Sequence, residues 1–285
     1  MLNYYLYRFG QLIALILPLK FVYCFAVFLA DLHYFLAFRD RRFVRANLRV
    51  IFPDKPIKEL RKISRIVFRN FAKYLVDFFR FEKLDLQYIH KNIKLENLCY
   101  FDDALAKGKG VIVLTAHLGN WELGGVVIAQ LKYPFWVVAL PHKDKKVNGF
   151  FDAQRNRKGV KVIAMGKAVR SCISEIRKNH MVALAGDRDF TEKGIVIDFF
   201  GKPTHFPEGP GALSLMTGAP IVPGFMFRNP DDSFTLRIEK PVEFTPSGDK
   251  AKDLAGLITV YKKILEDYIR KYPEQWYVFR KFWVK

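Results

Sequence analysis

The chain predicts an α/β fold, a mixed sheet flanked by helices, behind an N-terminal hydrophobic helical membrane anchor. Three observations predict it. An apolar stretch runs from Leu12 to Ala30 near the start. A long amphipathic stretch follows from Ile57 to Phe81. From Val111 onwards, short β-rich runs alternate with helical periodicity up to a final helix. That alternation implies a sheet covered on both faces, with ligands outside its strand ends.

The composition narrows the function classes. A chain of 285 residues can bury a sizeable core. Its 51% hydrophobic and 15% aromatic content lies between a soluble enzyme and a multi-span membrane protein. Basic residues number 47 against 28 acidic, a net charge of +19. Such a surface fits an acidic partner: nucleic acid, anionic lipid or an acidic carrier protein. Cys24, Cys99 and Cys172 show no C-x-x-C spacing and an odd count. That pattern argues against a disulfide framework or zinc site and fits a reducing compartment.

The elements follow in order. Leu12–Ala30 is about nineteen residues, roughly 28 Å as a helix, close to the thickness of a bilayer core. Pro18 and Lys20 interrupt it, so a span, an interfacial helix and a buried hairpin all remain open. Arg39, Arg41, Arg42, Arg45 and Arg49 follow it, against Arg8 alone before it. The positive-inside rule then places the rest of the chain on the cytoplasmic side. Pro53 and Pro56 mark a boundary, giving an anchoring segment 1–52 and an α/β domain 53–285. In the amphipathic stretch, Leu60, Ile63, Val67, Phe71, Leu75 and Phe78 recur at helical spacing. Arg61, Lys62, Arg65, Arg69 and Lys73 fall between them, as a solvated face or a second membrane contact. Strands are predicted at Val111–Ala116, Trp136–Leu140, Val160–Ala164 and Met181–Ala185, and near Ile195–Phe200, Pro220–Phe227 and Phe234–Glu239. Helices fall near Asn120–Leu131, Val147–Lys158, Lys167–Lys178, Glu208–Thr217 and Lys252–Lys271.

The sharpest chemical feature is Thr115-Ala-His117-Leu-Gly119-Asn120-Trp-Glu122. An apolar strand runs into a glycine turn, and Asn120 is a good N-cap for the next helix. His117 therefore sits at the sheet edge where ligands bind, and Glu122 lies in the first helical turn, where the macrodipole favours a carboxylate. Five residues apart across a turn, the two can meet. Glu122 then holds the imidazole tautomer, and His117 acts as general base towards a bound hydroxyl. The bland alternative is a core histidine beside a helix-capping acid. Metal chemistry is not indicated, because His33, His90, His142, His180 and His205 are scattered and no H-E-x-x-H occurs.

The order of blocks resembles the late lipid A acyltransferases of Gram-negative bacteria and related glycolipid acyltransferases. The blocks are Arg45-Ala-Asn-Leu48, Phe52-Pro53, His117-Leu-Gly-Asn-Trp-Glu122 and Arg155-Asn-Arg157-Lys-Gly159-Val160. Asp187-Arg-Asp189, Phe199-Phe-Gly201, Glu208-Gly-Pro-Gly211, Thr217-Gly-Ala-Pro-Ile-Val-Pro223 and Pro273-Glu-Gln-Trp276 complete the series. The resemblance implies a glycerolipid-acyltransferase-like fold, with His117 as base and Glu122 as its partner. It implies that Arg157 binds a phosphate or other anionic group and that Asp187 lies in the active-site cleft. Arg157 also reads as part of a solvated helix face, and Asp187 as a turn residue beside Arg188. Gly119 and Asn120 of the same turn are candidate substrate-binding residues, with backbone N–H groups near Gly119 or at a helix N-terminus as oxyanion donors. Two blocks depart from the commoner pattern, Lys202-Pro-Thr-His-Phe-Pro207 and Trp276-Tyr-Val-Phe-Arg280-Lys-Phe-Trp283, and these bear on the acceptor.

The implied reaction is attack of an acceptor hydroxyl on an acyl thioester, so no metal, nucleotide or other cofactor is required. The resemblance implies acyl carrier protein as donor, with acyl-CoA as the alternative. The acceptor is a membrane glycolipid, a lipid A precursor, or else a lysophospholipid or other glycolipid. The anionic membrane surface is a further partner, at the bacterial inner membrane with the catalytic domain on the cytoplasmic face. The rival from another class is a basic nucleic-acid-binding protein. Against it, the aromatics concentrate in apolar runs, and no helix-turn-helix, RRM, KH or zinc-finger signature is present.

Overall fold

The computed structural model describes residues 2–190 and 194–283. The N-terminal apolar stretch is not one helix. Helix α1 spans Leu2–Ile16 and α2 spans Leu19–Leu36, with the break at Leu17-Pro18. Proline disfavours helix in the residue before it and lacks an N–H to continue the ladder. Helix α2 is 18 residues long, about 27 Å, and by length and composition could cross a membrane. Helix α3 (Phe38–Ile51) carries the arginine cluster, and a turn through Pro53 and Pro56 leads to α4 (Ile57–Phe79).

Helix α4 ties the N-terminal helices to the body. Asp31 of α2 receives paired hydrogen bonds from both Arg65 and Arg69, at 2.6–2.9 Å. Lys73 pairs with Asp232 at 2.6 Å. Part of the basic side of α4 is therefore paired with the protein's own carboxylates rather than left as a free cationic face. Ala14, Val22 and Tyr23 join the same buried cluster as the central sheet, and Tyr34 packs with Val67 and Phe68 of α4. The outer sides of α1 and α2 remain bare: Phe9, Ile16, Phe21, Phe28, Leu32 and Phe35 are each at least half exposed.

The remaining elements build an α/β body. They are α5 (Leu86–Asn92), β1 (Ile93–Glu96), α6 (Cys99–Leu105), β2 (Val111–Thr115), α7 (Trp121–Gln130), β3 (Phe135–Ala139) and α8 (Lys145–Asn156). Then come β4 (Lys161–Ala164), α9 (Ala168–Arg177), β5 (Met181–Ala185), β6 (Ile195–Phe199), β7 (Lys202–Phe206), α10 (Gly209–Thr217), β8 (Ile221–Arg228), β9 (Phe234–Ile238) and α11 (Lys250–Lys271). Seven strands form one mixed sheet in the order β1-β9-β8-β2-β5-β3-β4, parallel except where β8 meets β9. The seven strands expected from sequence are all present, shifted by a residue or two at most ends. Strand β1 and helices α5 and α6 were not expected. Their segment is short-elemented, and its one clear local signal is Asp85, which caps α5 by accepting from the Tyr88 N–H at 2.7 Å. Strands β6 and β7 form a separate antiparallel hairpin, so Lys202–Phe206 is a strand pairing with Ile195–Phe199.

The sheet positions the site through register. Strand β2 lies between β5 and β8, and its residues from Val111 to Leu114 are almost wholly buried. A continuous apolar run is what a parallel strand covered on both faces requires. Thr115 of β2 pairs with Ala185 of β5, so the two chains leave the sheet side by side, at the same carboxyl edge. Two residues further on stand His117 and Asp187.

Because α1 and α2 contribute to the core, deletion of residues 1–38 is expected to destabilise the body rather than free it. Removing several buried side chains costs at least about 3 kcal/mol, or roughly 6–12 °C in melting temperature. Thermal unfolding of the truncated and full-length chains measures this directly.

Candidate active site

His117 is held by a carboxylate, but not by Glu122. The Asp187 Oδ1 accepts from the His117 ring at Nδ1, 2.8 Å, and from its backbone N–H, 3.1 Å. A carboxylate only accepts, so Nδ1 carries the proton and Nε2 is the ring nitrogen left for the cleft. The second Asp187 oxygen accepts from the Trp276 indole N–H at 3.0 Å. Asp187 is fully buried. Burial works against its ionisation, but His117, Arg188 and Trp276 outweigh it and hold the carboxyl well below the usual range.

Glu122 has a different partner. Its two oxygens receive Arg155 Nε at 2.9 Å and an Arg155 terminal nitrogen at 2.5 Å, a two-pronged pair between α7 and α8. Both side chains are about nine-tenths buried. The expectation that Glu122 steadies His117 rested on nearness in sequence. The turn instead delivers the imidazole towards the end of β5, while the first turn of α7 projects Glu122 towards α8.

Gly119 and Asn120 have structural duties. Gly119 adopts φ +63°, and a Cβ there would lie 1.9 Å from the Met226 carbonyl oxygen, so only glycine fits. Its N–H donates to the Gln275 carbonyl, and that of Asn120 to the Met226 carbonyl, at 2.9 and 2.8 Å. Neither is available as an oxyanion donor. The Asn120 side chain caps α7 by accepting from Leu123 N–H at 3.1 Å and donates to Asp77 at 2.8 Å. It is buried, so its contacts are with the protein.

Arg157 stands apart. It is 57% exposed, 3.7 Å from Glu82, and lines a separate surface hollow of about 320 Å³ with Arg8 and Lys146. The arginines that the fold does bring to the His117 cleft are Arg155 and Arg188. Burial pulls the Arg188 guanidinium down to about 10. One Arg188 nitrogen donates to the Tyr277 carbonyl, while its buried Nε makes no hydrogen bond among the described residues and lies 3.7 Å from Asp187 Oδ2.

The cleft itself is about 620 Å³. His117, Glu122, Arg155 and Arg188 supply its polar wall, and Val113, Ile128, Phe135, Val137 and Leu236 line an apolar interior. That is the make-up of a ligand site, a mostly apolar pocket with a few convergent polar groups. The C-terminal strap closes one side: Tyr277 N–H donates to the His117 carbonyl at 3.1 Å. Asn47 of α3 holds that strap through the carbonyls of Val278 and Arg280, at 3.3 and 2.9 Å. The blocks around Asn47, His117, Asp187 and Trp276, far apart in sequence, therefore meet at one place.

The family described as bacterial lipid A biosynthesis acyltransferase matches residues 1–285. The chain belongs to that family. Among its relatives is a phosphatidylinositol mannoside acyltransferase of Mycolicibacterium smegmatis, 26% identical over 85% of this chain and 79% of the relative. One of the same name from Mycobacterium tuberculosis is 31% identical over 54% of this chain and 51% of its own length. A lipid A biosynthesis palmitoleoyltransferase of Escherichia coli is 27% identical over 86% and 79%. The protein is thus an acyltransferase, of the lipid A and glycolipid type.

The Glu122–Arg155 pair generates a test. Among the described residues, Glu122→Ala leaves a buried guanidinium with Asp152, 3.2 Å away, as its one remaining ion-pair partner. The expected loss is about 3 kcal/mol of folding stability, read by urea denaturation. Wild-type stability would show that the pair contributes nothing to the fold.

Proposed function

We propose that the protein transfers a fatty acyl chain from a thioester to a hydroxyl of a membrane glycolipid, with His117 as general base. The observation that carries this is the 2.8 Å bond between His117 Nδ1 and the buried Asp187, at the mouth of an apolar cleft. Nε2 takes the proton of the acceptor hydroxyl as its oxygen attacks the thioester carbonyl. A C–O bond forms, the C–S bond breaks, and the leaving thiolate recovers the proton from the imidazolium. Asp187 fixes the ring and stabilises its charged form, while general-base transfer contributes about 100- to 10,000-fold. The acyl chain occupies the apolar interior between β2, β3 and α7. Arg188 lines the cleft beside Asp187, and its cationic guanidinium supports a role in taking charge that develops on the carbonyl oxygen. Glu122 acts by holding Arg155 on the opposite part of the cleft wall.

The donor is an acyl carrier protein, whose acidic surface suits a chain of net charge +19, with acyl-CoA the alternative. The acceptor is a glycolipid such as a lipid A precursor or a mannosylated phospholipid, as the names of the relatives suggest. The bare apolar sides of α1 and α2 support work at a bilayer surface, at the inner membrane and on its cytoplasmic face. The short arginine-rich α3 behind them fits anionic headgroups.

Two measurements test this reading. His117→Ala and Asp187→Asn are expected to lower acyl transfer by about 1,000-fold or more while the fold survives, with product ester and free thiol followed by mass spectrometry. Near-normal turnover by a folded His117→Ala protein rejects the mechanism. Separately, Phe28→Glu with Leu32→Glu places two charges on an exposed face of α2, where these residues are 64% and 50% accessible. Flotation with anionic vesicles in high salt should then be lost with little change in melting temperature.

A further inference from the structure

A second buried carboxylate lies behind the catalytic turn, and it joins that turn to the apolar N-terminal helix. Asp77 of α4 is 7% exposed. Its Oδ1 accepts from the Tyr23 hydroxyl of α2. Its Oδ2 accepts from Asn120 at 2.8 Å and from the Arg228 guanidinium at the end of β8. Asn120 is the cap of α7 and the third residue after His117. Arg228 belongs to the same assembly: Gln275 holds both its backbone N–H and its carbonyl at 2.9 Å. The Gln275 carbonyl in turn receives the Gly119 N–H.

Helix α2 has two unlike sides. Tyr23 is turned inwards at 4% exposure, with the Arg228 guanidinium 4.9 Å from its ring centroid and Lys73 5.3 Å away. Phe21, Phe25 and Phe28 of the same helix are exposed. In water the inward side of α2 seats it on the body, and the outer rings, being exposed, add nothing to that seating. On a bilayer they are buried only if the helix lies with that side outwards, and this rotation is the one that presents Tyr23 to Asp77. A bilayer thus favours the bonded arrangement by differential affinity, as any ligand-driven shift requires.

We propose that Asp77 is a positioning residue through which seating of α2 on a membrane sets the catalytic turn, by way of Tyr23, Asp77 and Asn120. The inference rests on the reading of His117 as the base and of α2 as membrane-facing. It assigns to Tyr23 and Asp77 a function that neither performs on substrate. Small displacements of a catalytic group are costly in rate, so the connection acts on kcat rather than on binding.

The test uses the full chain, with and without vesicles of phosphatidylethanolamine and phosphatidylglycerol. The readout is release of free thiol from a purified acyl-CoA as its acyl chain passes to a detergent-solubilised glycolipid acceptor held at the same concentration in every sample, at a temperature well below every variant's melting point. Wild-type kcat should rise when vesicles are added. Tyr23→Phe keeps the ring but removes the hydroxyl, and its vesicle-bound kcat should be about tenfold lower, the size of one hydrogen bond to a charged group. Its KM should stay within about twofold, and its vesicle flotation should be unchanged. Adding Tyr23→Phe to Asp77→Asn should lower kcat little further, because both changes cut the same chain. If Tyr23→Phe lowers only the melting temperature and keeps the wild-type response to vesicles, the bond is merely structural and the proposal is wrong. A fall in kcat matched by a fall in flotation also overturns it, because attachment alone then explains the defect. His117→Ala separates the levels. An inactive His117→Ala beside a vesicle-responsive Tyr23→Phe rejects the relay alone, whereas an active His117→Ala rejects the site reading and the relay with it.

Discussion

Asp187 ionised at zero exposure sets the terms for the surrounding structure. An isolated carboxylate in a protein interior is strongly unfavourable, so every one of its lone pairs needs a donor or a cation. The donors come from distant parts of the chain: the His117 ring and backbone N–H, and the Trp276 indole, with Arg188 adjacent. Trp276 reaches it only because the C-terminal strap is laid across the turn, and Asn47 holds that strap in place. The charge that orients the imidazole is thus the same charge that organises the packing around it.

The catalytic turn is suspended between two buried carboxylates of different character. Asp187 is pulled below the ordinary range by the histidine, arginine and indole around it. For Asp77, burial pushes the carboxyl up, against the pull of Arg228, Tyr23 and Asn120. One faces the chemistry, and the other faces the N-terminal helices. Between them, Gly119 and Asn120 give their backbone N–H groups to carbonyls of the strap and of β8. The polar groups of this turn beside the cleft are consumed in fixing it, which favours preorganisation over flexibility.

Much of the fold was legible because it is written in local patterns. The apolar run at β2, the glycine turn, the Asn120 cap and the amphipathic spacing of α4 all express short-range rules, and the structure follows them to within a residue or two. Pro18 was visible as an interruption, and it proves to split the N-terminal stretch into α1 and α2. The short segment holding α5, β1 and α6 has no comparable signature, since elements of seven or fewer residues carry little periodicity.

At the site, the sequence by itself determined the chemical groups and their level in the sheet. His117 must follow a buried strand, Glu122 must lie in a first helical turn, and Asp187 must follow another buried strand. What it could not determine was which of two carboxylates meets the imidazole, or which arginine of Arg155 and Arg157 enters the cleft. Those pairings depend on β5 lying beside β2 in parallel register, with Thr115 opposite Ala185. Strand adjacency across seventy residues leaves no trace in spacing, because parallel neighbours are chosen by the packing of crossover helices rather than by any local turn. The tertiary structure therefore gave His117 to Asp187 and Glu122 to Arg155, and left Arg157 at the surface.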